Sequence, residues 1–194
     1  MPAQVLAKIT PARDARAWRE ARRCSDGLYR IGSSDAPVIV YGEMFGRSLI
    51  DLWMEKRGMQ EGPEENYDMR QGHLLEEVCA REWSIMTGRR VYRRHAILHH
   101  PDHPWMTANL DRVISHGDDG QGPGILEAKS PRYGTMVEVV NNGPSKAHLI
   151  QVLHQLAVTG WRWAVLAYYH RDWGVRAFPV ARKGNQDITT EIIR

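Results

Sequence analysis

Apolar residues in GHLLEEVCAREWSIMTG recur three and four positions apart, with Leu75, Cys79, Glu82 or Trp83, and Met86 in register. This spacing predicts an amphipathic helix that Gly88 ends. The period then shifts to two. VYRRHAIL predicts a strand, PDHP a turn and WMTANLDRVIS a second strand. SHGDDGQGPG predicts another turn and GILEAKS a third strand. PSKAHLIQVLHQLAVTG returns to helical spacing and stops at Gly160, and WAVLAYYH, RDWG and VRAFPVA form a closing hairpin. Upstream, a first helix is expected from about Ala12 to Arg23, and a second at SSDAPVIV, with Ser33 or Ser34 as cap and Pro37 in the first turn. SLIDLWMEKRG predicts a helix from a Ser48 cap to a Gly58 stop, and EGPEENYDM a loop. Helices, a three-strand meander, a helix and more strands make an α/β chain: a mixed sheet flanked by helices, without doubly wound alternation.

With 194 residues, the chain reads as one domain: an N-terminal helical segment over about 1–60, a core over about 61–180 and a short C-terminal tail. No apolar run reaches membrane-span length, and the first residues lack the apolar core of a secretory signal, so a cytoplasmic location is expected. Cys24 and Cys79 are too few for a disulfide framework or a four-cysteine cluster, and both are expected reduced. The net charge of +3 is compatible with a polyanionic partner. Arginines crowd two places, from Arg13 to Arg30 and from Arg89 to Arg94. Each cluster is either a solvated face or a phosphate-contacting rim.

In the third strand, Ile125, Glu127 and Lys129 share a face, while Leu126 and Ala128 point to the core. Asp111 interrupts the neighbouring strand, so two acids and an ammonium can converge. Two carboxylates suit Mg²⁺, which takes oxygen ligands and keeps several waters, and a lysine beside them can hold an attacking water and offset phosphate charge. A surface ion pair is the plainer reading of Glu127 and Lys129, but burying three charges in an apolar sheet without a cation or substrate is costly.

These residues, Asp111 … Glu127-Ala128-Lys129, resemble the PD-(D/E)XK nuclease signature, with Leu110 where a proline is usual. RIGSSDAP, GHLLEE, HPDHPWMTANLDRVI, GILEAKSP and HLIQVLHQLAVTG are similar, in order and approximate spacing, to blocks of the YqaJ-type viral recombinases, a group that includes lambda exonuclease. The likeness spans roughly Arg30 to Tyr169. It implies a restriction-endonuclease-like core and a Mg²⁺-dependent 5′→3′ exonuclease that acts on double-stranded DNA ends and leaves a 3′ single strand for recombination. Asp111, Glu127 and the backbone carbonyl of Ala128 would ligate Mg²⁺, Asp111 bridging to a second ion, with Mn²⁺ as a possible substitute. Lys129 would position or activate water. Glu76 would reach the site from its helix, with Gly72 leaving room for close approach.

Gln151 matches a helix glutamine near the metals, with Gln155 one turn on and His154 beside it. Arg30, with Ser33 or Ser34, matches a segment that binds the 5′-terminal phosphate, and hydroxyls and free N–H groups at a helix start, plus one arginine, suit an anion. Asn109 stands where a further phosphate-binding serine is found. A ring-shaped trimer and a single-strand annealing protein as partner are also implied. His99, His100 and His103 lie in a turn and are not read as zinc ligands. Two alternatives stay open: an endonuclease or structure-specific cutter of the same fold, and a non-catalytic DNA-end-binding module.

Overall fold

Asn66 accepts a hydrogen bond from the N–H of Met69 at 2.9 Å, and a 21-residue helix starts directly after it. The computed structural model describes residues 3–8, 15–117 and 121–182. In chain order the first elements are β1 (Gln4–Ala7), α1 (Ala15–Glu20), α2 (Ala36–Tyr41), β2 (Glu43–Met44), β3 (Arg47–Ser48), α3 (Leu49–Lys56) and α4 (Tyr67–Thr87). Then follow β4 (Val91–Tyr92), β5 (Ile97–His99), β6 (Thr107–Ala108), β7 (Arg112–Ile114) and β8 (Gly124–Lys129). The last are α5 (Tyr133–Asn142), α6 (Lys146–Thr159), β9 (Trp163–His170) and β10 (Gly174–Ala181).

The main sheet has five strands in the order β10-β9-β8-β7-β4. Only β8 and β9 run parallel, because α5 and α6 carry the chain across between them. α4 covers one face: Cys79, Ala80 and Trp83 pack on Ile114, Leu126, Ala128, Val165 and Ala167. α6 covers the other, where Leu153, Leu156 and Ala157 join Ile125, Leu166 and Tyr168. A second sheet, β1-β5-β6, lies against α6. Gly124 is required where β8 begins, since a Cβ there would stand 2.4 Å from the Trp163 ring.

Several expectations are corrected. EGPEENYDM is not loop throughout, because the Asn66 cap starts α4 at Tyr67. VYRRHAIL and WMTANLDRVIS each divide between two sheets, as β4 with β5 and β6 with β7, so the meander is not one ladder. Asp35, not Ser33 or Ser34, stands at the N-cap position of α2, and its side chain accepts from the Gly32 N–H instead of capping the helix. Nothing lies within 4 Å of a Cβ built on Gly72, so that glycine serves no close approach. Nor does β8 alternate core with site: Ile125, Leu126, Glu127 and Ala128 are all buried, because helices cover both faces. α5 has no counterpart among the expected helices. Its run of valines lowers helix propensity, and burial of Met136 and Val139 holds it. Residues 12–14 of the expected first helix, residues 118–120 of the expected turn and most of the C-terminal tail lie outside the described residues. Among the described residues, no helix is long and apolar enough to cross a membrane.

Candidate active site

The β7–β8 ladder ends at the pair Arg112–Leu126, one residue short of Asp111. Beyond it, Asp111 takes the place of the missing strand: its Oδ2 accepts the Ala128 N–H at 2.9 Å. The N–H and C=O of a strand residue face the same neighbour, so the Ala128 carbonyl also opens toward Asp111, past the last ladder pair.

Glu127 is 1% exposed and saturated with donors. Lys129 Nζ lies 2.5 Å and Gln151 Nε2 2.6 Å from its Oε1, and Gln155 Nε2 donates to its Oε2 at 2.7 Å. Gln151 and Gln155 sit one turn apart on α6, so this helix grips the carboxylate from above the sheet. His148, one turn earlier, bonds the Tyr168 hydroxyl at 2.8 Å, and Tyr168 pairs with Lys129 across the parallel ladder.

The electrostatics agree with this convergence. Burial raises the Asp111 carboxyl well above its ordinary range, and the charges of Glu127 and Glu76 raise it further. Burial also raises Glu76, with Glu127 adding to the effect. For Lys129, burial alone would lower the ammonium, but Glu127 and Asp111 overcome it and the group is held above its usual value. Burial and the Lys129 charge push the His148 imidazole down to about 3. Glu76, Asp111, Glu127 and Lys129 thus sense one another although they come from three separate elements.

Of the other expected site residues, His154 is fully buried and its Nε2–H donates to the Thr107 carbonyl at 3.0 Å, apart from Glu127. Arg30 is committed to main-chain carbonyls, with Nε to Pro104 at 2.8 Å and an Nη to Arg23 at 2.7 Å. A cavity of about 80 Å³ brings Ser33, Ser34 and Asn109 together, and the guanidinium lining it is that of Arg22. Arg22 lies 4.6 Å over the Trp18 ring and 3.5 Å from Asp35, itself buried and bonded to Lys56 at 2.7 Å. Two polar atoms of the lining, Trp18 Nε1 and Asn109 Oδ1, are buried without a partner. In the sequence Arg22 is one of the crowded N-terminal arginines, and its place beside Ser33 and Ser34 is hidden because it lies ten positions before Gly32. The signal was the Trp18–Arg22 spacing of one helical turn.

A mixed sheet between two helices, with acids at the frayed end of its central ladder, is the PD-(D/E)XK nuclease fold. The alkaline exonuclease of Laribacter hongkongensis superposes with a TM-score of 0.71 at 23% identity, over 92% of this chain and 89% of that one. Its complex with dAMP gives 0.72 at 22% identity, over 91% and 88%. A phage-related exonuclease of Haemophilus somnus 129PT gives 0.56 at 12% identity, over 86% and 91%. In sequence, residues 17–162 match the YqaJ-like viral recombinase domain, and the chain belongs to that family. It is 34% identical over 160 residues, 81% of its length, to the protein YqaJ of Bacillus subtilis strain 168, and it spans about half, 46%, of that relative.

Proposed function

We propose that the chain is a metal-dependent nuclease, a 5′→3′ exonuclease that degrades one strand of a DNA duplex from its end and leaves a 3′ overhang for recombination. The observation that carries this reading is the Asp111 carboxylate held on the Ala128 N–H, directly beside Glu127, with Lys129 bonded to the Glu127 carboxylate.

The donor set fits Mg²⁺. Among the described residues no three His, Cys, Asp or Glu side chains form a ready-made cage. Mg²⁺ does not need one: it is held by one or two carboxylates and retains waters. Asp111, Glu127 and the Ala128 carbonyl supply three oxygens, and the Asp111 carboxyl, raised by burial and then by the charges of Glu127 and Glu76, bears a penalty that a cation relieves. Bound there, the ion would act as a Lewis acid on a phosphodiester. Lys129 acts as a fixed positive charge that orients water and offsets phosphate charge, since its acidic neighbours keep it protonated. Gln151 and Gln155 lock the Glu127 rotamer, and Glu76 adds an acceptor from α4.

The small cavity takes the 5′-terminal phosphate. Arg22, Ser33 and Ser34 offer donors, the unpartnered Trp18 Nε1 adds one, and the Asn109 amide can turn to present its NH₂. Arg30 shapes the loop from outside. Double-stranded DNA ends are the substrate, in a ring of three copies acting with a single-strand annealing protein. The exposed Leu49, Ile50 and Trp53 along α3 offer an apolar face for such assembly.

A time course on end-labelled duplexes, with and without Mg²⁺, tests the reading. Mg²⁺-dependent release of label from 5′ ends, with covalently closed circles left intact, is the expected result. Cutting of the circles would reassign the chain as an endonuclease, and no hydrolysis with any divalent metal would leave only end binding.

A further inference from the structure

Asp111 and Glu76 reach the site from opposite sides of the sheet. Glu127, next to the Ala128 that Asp111 bonds, is gripped by Gln151 and Gln155 of α6, whereas Glu76 belongs to α4 on the other face. Glu76 and Asp111 therefore come from different elements, and how α4 is fastened to the start of β7 bears on where Glu76 stands relative to Asp111.

Beside the apolar packing of α4 on Ile114, one polar side chain ties the helix to the strand end. Arg112, the first residue of β7, lies on the α4 face with Ile114, and its side chain is 4% exposed. One guanidinium Nη donates to the Asp111 carbonyl at 2.6 Å, and the other to Glu77 Oε2 at 2.7 Å. It thus joins the neighbour of Glu76 to the main chain of Asp111. A guanidinium is planar, with its donors in a rigid fork, so the separation of its two acceptors is set by the group. Arg93, itself partly exposed, bonds the same Glu77 oxygen at 3.0 Å.

We propose that Arg112 is a positioning residue of the nuclease site: its buried fork fastens α4 to the strand end and so fixes Glu76 relative to Asp111. Its role goes beyond an ordinary buried ion pair because the two acceptors flank two site acids. Lysine in its place offers both acceptors a single nitrogen on a flexible stem, without the fixed spacing of the fork. The inference rests on the nuclease reading above.

The test is Arg112→Lys, compared with wild type and with Asp111→Ala. Calorimetric titration with Mn²⁺ alone gives a readout independent of turnover. Arg112→Lys is expected to weaken Mn²⁺ binding and lower kcat by roughly 10- to 100-fold, the range for residues that hold metal ligands in place. KM for duplex DNA should stay unchanged. A folded Arg112→Lys protein with wild-type Mn²⁺ affinity and kcat, or one that loses only thermal stability, overturns the proposal. If Arg112→Lys does not fold, Glu77→Gln decides, because Glu77 is 64% exposed and the amide keeps one weaker acceptor. It should move Mn²⁺ affinity and kcat in the same direction, and no change in either overturns the proposal. Asp111→Ala separates the two failures. If it keeps full hydrolysis and Mn²⁺ affinity, the nuclease site itself is misplaced, whereas an inactive Asp111→Ala beside an unaffected Arg112→Lys sinks only the positioning role.

Discussion

The Asp111 carboxylate occupies the place that a strand residue would take opposite Ala128, accepting its N–H at 2.9 Å. A ladder bond has been exchanged for a side-chain bond, which turns an acid inward at the sheet's open end. The residue therefore has two roles with opposite effects: it satisfies a backbone donor, and it adds a second negative charge beside Glu127.

Asp111→Asn separates those roles. The amide oxygen can still accept from Ala128, but the charge is gone. Hydrolysis should fall by roughly a thousandfold, as expected for losing several kcal/mol of metal-assisted stabilisation. In EDTA the variant should be more stable than wild type. The sign follows from the raised folded-state carboxyl: at neutral pH the fold disfavours its charge, so removing the charge relieves the fold. Thermal unfolding should show Tm higher by a few degrees, on the order of 2–4 °C per kcal/mol at this size. A lower Tm in EDTA would show that the buried charge does not weigh on the fold.

Asp35 illustrates the reverse case. Burial would raise its carboxyl, but Lys56 and Arg22 prevail and hold it below the usual range. Its stabilising effect is therefore complete above about pH 3.8 and disappears as pH falls through the lower folded value. Asp35→Asn leaves Lys56, Arg22 and Arg47 around a neutral amide and should cost about 3–5 kcal/mol at pH 7. Urea unfolding measures this, and a loss under 1 kcal/mol would show the three cations re-solvated.

Much of the site was legible because its signals are local. Alternation in GILEAKSP places Glu127 and Lys129 on one face, and helical spacing places Gln151 and Gln155 on another. What was hidden depends on distant contacts. WMTANLDRVIS reads as one strand, yet Ile31 forms a parallel bridge with Met106, and the chain changes sheets before Asp111. Arg22 reaches the cavity beside Ser33 and Ser34 because residues 23–29 loop out and bring Arg30 N–H back to the Arg22 carbonyl at 2.8 Å. Arg112, one position after a motif acid, carries no local signal of its burial, because its partner Glu77 lies 35 positions away on α4.

His154 sets an acid limit on stability. Its Nε2–H bonds the Thr107 carbonyl, Nδ1 is buried without a partner, and burial pushes the imidazole down to about 4. The unfolded chain takes up this proton near pH 6.5 and the folded chain only near 4, so the unfolded state binds more protons between these values. Stability should fall as pH drops through that window, by up to about 1.4 kcal/mol per pH unit for this group. Urea midpoints from pH 7 to 4 measure the slope, and His154→Gln should flatten it. An unchanged slope in the variant would assign the loss to other groups.

The two arginines near the cavity give the sharpest separation of roles. Arg22 lines it beside Ser33, Ser34 and Asn109, whereas the Arg30 guanidinium is held by the carbonyls of Pro104 and Arg23. On duplexes that differ only in a 5′-phosphate or 5′-hydroxyl, Arg22→Gln should remove most of the preference for the phosphorylated end. A lost charge-assisted pair of about 1.5–3 kcal/mol corresponds to roughly a 10- to 150-fold change in the ratio of kcat/KM for the two ends. Arg30→Gln should lower stability, because it removes two main-chain bonds, while leaving that ratio near its wild-type value. The reverse result, with selectivity lost in Arg30→Gln and kept in Arg22→Gln, would move the phosphate out of the cavity and onto the loop's outer face.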